Sequence, residues 1–128
     1  MFIVIMGAGR VVYLVAKMLE NEGHDVTIID IDKERAKELS FLINGLVIEG
    51  DATNHKTLEE ANVKQADAFA ALTGRDDANI LACILAKHLN PEIRTILRIS
   101  KPKNKEVFER VEDLKKYFDV VISPEEIA

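Results

Sequence analysis

Six short runs rich in Ile, Val and other apolar residues recur along the chain, at residues 2–6, 26–29, 46–48, 68–72, 95–99 and 119–122. Between them lie segments in which apolar residues return three and four positions apart, at about 10–22, 33–43, 55–62, 76–89 and 104–116. Runs with no polar face belong to strands buried on both sides, and such strands need helices above and below. Strict alternation of the two patterns therefore predicts an α/β fold, a doubly wound sheet of six parallel strands with helices on both faces. At 128 residues and 48% hydrophobic content, the chain holds one such core and not two.

Local chemistry marks the boundaries. Gly23 follows the first helical segment and accepts left-handed backbone geometry, Asp32 can cap the second, and Asn90 with Pro91 ends the fourth. The first strand runs directly into "GAGRVV", which opens the first helix. That is the setting of a dinucleotide turn: Gly7 makes the sharp bend and Gly9 admits a pyrophosphate to the backbone. The helix N-terminus offers free amides, and Arg10 adds a full charge. Asp30 closes the second strand 21 residues beyond Gly9, where a carboxylate accepts hydrogen bonds from an adenosine ribose. Its charge repels a 2′-phosphate and favours NAD over NADP, but does not separate NAD from ATP, ADP or AMP. The fold is in this sense Rossmann-like. Val12 stands where the third glycine of the fingerprint normally lets helix and strand approach, and it falls on the inward stripe with Ala16 and Leu19.

Other classes are disfavoured. A net charge of −5 with dispersed Lys and Arg gives no nucleic-acid footprint. No run is long enough for direct membrane insertion, and no charged leader with a cleavage site precedes the first strand. One cysteine, Cys83, excludes an internal disulfide or a multi-cysteine metal site, and its apolar neighbours read it as packing. His24, His55 and His88 are too scattered for a local metal motif, and no convergent catalytic set accompanies them. The reading is therefore not an enzyme.

Ligands of doubly wound sheets lie outside the carboxyl ends of the strands. There the chain places Gly50, Asp51 and Ala52 in "EGDAT", Thr73 and Gly74 in "LTGRDDAN", and Arg98 in "ILRIS". Together with "VTIIDID", "RTILRIS" and "DVVISPE", these motifs resemble the KTN or RCK N-terminal domain of potassium uptake systems, potassium channels and cation antiporters. The resemblance covers essentially the whole chain. It implies that Gly7, Ala8, Gly9, Arg10 and Val11 cradle phosphates and that Asp30 holds the adenosine ribose. It further implies that Asp51 and Ala52 flank the adenine, while Thr73, Gly74 and Arg98 line the remainder of the cleft. Val12 departs from the family's usual glycine.

The same resemblance implies NAD(H), with ATP, ADP or AMP as alternatives, and homo-oligomers in which dimers assemble into rings. It implies a cytoplasmic regulatory role at the inner face of the membrane, exerted on a potassium transporter or channel. The family's following C-terminal ligand-binding domain has no counterpart in these residues. From the residues themselves, the fourth helix also points to assembly. Ile80, Leu81, Ile84, Leu85 and Leu89 cover half of it, and Ala78, Ala82, Cys83 and Ala86 most of the rest. The last helical segment is instead amphipathic, with Val107, Phe108, Val111 and Leu114 facing the protein. Two alternatives stay open: the nucleotide domain of an NAD-dependent oxidoreductase, and a ligand-free dimerisation module created by Val12.

Overall fold

The computed structural model describes residues 1–7 and 9–123. Strands β1 (Phe2–Met6), β2 (Asp25–Asp30), β3 (Leu46–Glu49), β4 (Ala68–Ala71), β5 (Arg94–Arg98) and β6 (Val120–Ile122) form one sheet. Its order is β3-β2-β1-β4-β5-β6, and every pairing is parallel. The connections are α1 (Arg10–Asn21), α2 (Lys33–Leu42), α3 (His55–Glu60), α4 (Asp76–Leu89) and α5 (Pro102–Arg110). Two 3₁₀ turns, Val63–Gln65 and Glu112–Tyr117, follow α3 and α5. The strand order reverses between β1 and β4, which opens a crevice at their carboxyl ends.

Alternation along each strand divides the core in two. Ile3 and Ile5 of β1 join Val26, Ile28, Ala68 and Ala70 beneath α1 and α2. Val4 and Met6 join Ile29, Phe69, Ala71 and Leu97 beneath α3, α4 and α5. Burial of each such aliphatic side chain stabilises by about 1.5–3 kcal/mol. Val12 does face the sheet, at 4% exposure, in the layer that also holds Ala16, Ala68 and Ala70. Those small side chains leave volume for the valine, so the architecture accommodates it.

The end signals act as their chemistry requires. Asp32 caps α2 by accepting from the amides of Glu34 (3.0 Å) and Arg35 (3.3 Å). Gly23 follows α1 at φ +92. Asn90 ends α4 and donates to the carbonyls of Val63 and Ala66, tying the helix to the preceding 3₁₀ turn.

One element differs from the sequence expectation. The helix predicted at 104–116 begins earlier and stops at Arg110, and the chain continues as a 3₁₀ turn. Phe108 is buried, but Val107 (57%) and Val111 (40%) are exposed rather than facing the protein. The cause is long-range. The Phe118 ring packs edge-on against Phe108 at 4.6 Å, and Thr95 receives this segment through Tyr117 and Asp119. Lys87 of α4 closes the same corner with a 2.8 Å bridge to Asp119. A straight helix would carry the chain away from these partners. Among the described residues, no helix is long and apolar enough to cross a membrane.

Candidate functional site

A cleft of ≈ 520 Å³ lies at the carboxyl ends of the strands, where the order reverses. Its lining joins Gly7 and Gly9 of the β1–α1 turn, Asp30 of β2, Asp51 and Ala52 after β3, Thr73 and Gly74 after β4, and Arg98 of β5. Eight of the residues expected from the sequence thus meet in one place. Ala8 lies outside the described residues. Arg10 stands beside the main cleft, lining an adjoining groove with Gly9, Tyr13 and Arg35. Val11 is 69% exposed and does not line the cleft. Val12 does not line it either, because its side chain turns under α1 toward the sheet.

The glycine turn is built for close approach. Gly7 sits at φ +126, a conformation that L side chains rarely adopt, and a Cβ there would stand 3.4 Å from the Leu72 carbonyl carbon. Its amide is already spent on the Ile29 carbonyl at 2.9 Å, so it is a turn-former rather than an anion donor. Gly9 is different: a Cβ on it would meet nothing within 4 Å, and the same holds for Gly74. Packing does not require glycine at either position, and both border the open space of the cleft. Gly9 is the N-cap of α1 and has no side chain to cap it, and the first turn carries no acidic residue. First-turn amides have no intrahelical acceptor, so the α1 terminus presents donors without a partner among the described residues, and the positive end of the helix dipole.

Across the turn, Asp30 is 9% exposed and its Oδ2 has no hydrogen-bond partner. Burial raises its carboxyl above the ordinary value, partly offset by the amides of Asp32 and Ile31. A desolvated acceptor without a donor is costly, and a ribose diol has the groups to satisfy it. Asp51 is the opposite case, since its Oδ1 accepts from the Thr53 hydroxyl at 2.6 Å and amide at 2.9 Å, which holds its carboxyl low. On the far wall Arg98 has a buried Nε without a partner, and its Nη1 reaches only the Leu72 carbonyl at 3.5 Å. The arrangement therefore offers an unsatisfied acceptor at one end, amide donors in the middle and an under-used guanidinium at the other.

Several lining residues were not read from the sequence. Arg35 follows the Asp32 cap on α2, and Arg75 bridges Asp77 at 2.9 Å on the rim. Leu81, 45% exposed, extends the rim onto the outer face of α4. Asp76, 5% exposed, does not line the cleft; it ties the start of α4 to the β5–α5 connection by accepting from the amides of Ser100 (2.8 Å) and Lys101 (2.9 Å) and from Asn104 Nδ2 (2.8 Å). Cys83 is fully buried and its thiol is pushed up to about 12, first by burial, which leaves it as packing.

The chain is similar to known proteins along its whole length. The model of the TrkA-N domain matches residues 3–124. A Trk system potassium uptake protein TrkA homolog of Pyrococcus abyssi is 70% identical over 128 residues, covering 100% of this chain and 56% of that protein. The chain thus spans little more than half of that relative's length. Among solved structures, the GsuK bound to ADP superposes with a TM-score of 0.77 at 25% identity, covering 98% of this chain and 31% of that one. The GsuK channel bound to NAD gives 0.78 at 20% identity, covering 94% and 21%. The latter likeness shows the fold.

Proposed function

Because this chain belongs to the TrkA-N domain family, we propose that it is a nucleotide-sensing module of a potassium uptake or channel system. It binds NAD(H), or alternatively ATP, ADP or AMP, in the cleft between the glycine turn and the β4 and β5 ends. The observation that carries this reading is the buried Asp30 carboxylate, whose Oδ2 has no donor, on the same cleft as an α1 terminus without a side-chain cap. The sugar satisfies Asp30, the first-turn amides of α1 take the phosphates, and Asp51 and Ala52 flank the base. The potassium uptake relatives support the potassium part of this reading, and the ADP and NAD complexes of GsuK support the ligand class.

The groups lining the cleft favour recognition over chemistry. Among the described lining residues the ionisable side chains are aspartates and arginines, with no His, Cys, Lys or Tyr to relay a proton at neutral pH. Small residues carry α4 against the sheet: Ala82, Cys83 and Ala86 are buried, while Leu81 is exposed and Ile84 and Leu85 are half-buried. An apolar strip of exposed Leu81 with half-buried Ile84 and Leu85, whose rim residue Leu81 also touches the cleft, favours a second copy as its cover. Ligand state then reaches the paired subunits, and through them a membrane potassium transporter or channel on its cytoplasmic side.

Switching requires a ligand with different affinity for two arrangements of the pair. The test is small-angle scattering of the chain with NADH against NAD⁺, and with ATP against ADP. Distinct inter-subunit dimensions are expected within at least one pair of ligands. Identical profiles for both pairs would remove the switching part of the proposal.

A further inference from the structure

The far wall of the cleft is held by a side chain that does not line it. Asn79, on the inward face of α4, has no exposed surface, and its carboxamide uses every hydrogen-bonding position. Its Oδ1 accepts from the Thr73 amide at 3.2 Å and the Thr73 hydroxyl at 2.6 Å. Its Nδ2 donates to the carbonyls of Thr73 and Arg98, both at 3.0 Å. A backbone amide can only donate and the carbonyls can only accept, so the carboxamide has one orientation. One buried residue thereby clamps the end of β5 to the loop after β4.

The clamp also sets the polarity of Thr73. A hydroxyl has a single proton, and Asn79 takes it at 2.6 Å, against 3.3 Å to the Arg75 carbonyl. The Arg75 amide donates to the same oxygen at 3.1 Å. What remains toward the cleft is one lone pair. A phosphate oxygen has no proton to offer it, whereas a sugar hydroxyl or a carboxamide NH₂ does.

We propose that Asn79 is a positioning and specificity residue for the second half of a dinucleotide, locking the Thr73 hydroxyl as an acceptor and fixing the Arg98 strand end beside it. The inference rests on the nucleotide reading of the cleft. With adenosine at Asp30 and phosphates at α1, the second sugar and its base extend across the strand-order reversal to the Thr73–Arg98 wall. Phosphate charge is left to the α1 amides and Arg98. The consequence is a preference for NAD(H) over mononucleotides that Asn79 sets without touching the ligand.

Calorimetric titration of the chain with NADH and with AMP tests this. AMP carries only the adenosine half and serves as the reference. Asn79→Ala is expected to weaken NADH on the order of tenfold while leaving AMP within about twofold, the scale of one or two lost hydrogen bonds. Thr73→Val, which keeps the backbone bonds to Asn79, is expected to weaken NADH several-fold, and it decides the matter if Asn79→Ala does not fold. Equal losses for both ligands in Asn79→Ala would reduce Asn79 to a structural role. Unchanged NADH binding in Thr73→Val, or in a folded Asn79→Ala, overturns the proposal, as does a wild-type chain that binds AMP but not NADH. A wild-type chain that binds neither also overturns the proposal, and one that binds neither these nor ATP and ADP overturns the nucleotide reading itself.

Discussion

Two buried aspartates show how residue-level energetics separate a ligand group from a structural one. Asp76 is buried against three donors, whereas Asp30 is buried against none on its Oδ2. Asp30, with a raised folded pKa, contributes stability that is present below the ordinary carboxylate value and lost as pH rises through the folded one. Without ligand, Asp30→Asn is therefore expected to leave unfolding free energy at pH 7 unchanged or higher by up to about 1 kcal/mol. It should also flatten the pH dependence just above the ordinary carboxylate range. Urea unfolding from pH 4 to 7 measures both, and a clear loss of stability in Asp30→Asn would show that the carboxylate has a structural partner. Asp30 and the glycines were legible in the sequence because fingerprint spacing is local and chemical. Asn79 and Arg35 were not, since a clamp between two strand ends or a helix residue turning into a cleft exists only after folding. Val11 turns its side chain outward, which leaves its first-turn amide as the group that the phosphate reading uses.

At the scale of elements, α4 and the β5–α5 connection are coupled through Asp76. Burial raises its carboxyl, but the Ser100 amide, the Asn104 side chain and the Lys101 amide outweigh this and hold it below the ordinary value. A depressed folded pKa means stability present above the ordinary carboxylate value and lost as pH falls through the folded one. Asp76→Ala is expected to cost about 2–4 kcal/mol at pH 7 and markedly less at pH 3, read from denaturant midpoints. A cost independent of pH would indicate that packing, not the charge, is what Asp76 provides. The strands and first four helices were readable because their periodicity is set within each segment. The end of α5 was not, for Val111 continues the apolar spacing. What stops the helix is the edge-on contact of Phe118 with Phe108 and the bonds to Thr95, partners distant in sequence.

For the whole molecule, the sheet order places the glycine turn, Asp30 and Arg98 around one crevice, although 91 positions separate Gly7 from Arg98. A ligand bridging them binds only the folded chain and stabilises it by mass action, about 2.7 kcal/mol at a hundredfold excess over Kd. The most direct test is a thermal unfolding titration of wild type and Asp30→Ala with NADH, ATP, ADP and AMP. The account predicts a saturable rise in melting temperature for wild type with at least one of them, and a rise that is abolished or shifted to far higher concentration in Asp30→Ala. No rise with any of the four, or an undiminished rise in the variant, would contradict it.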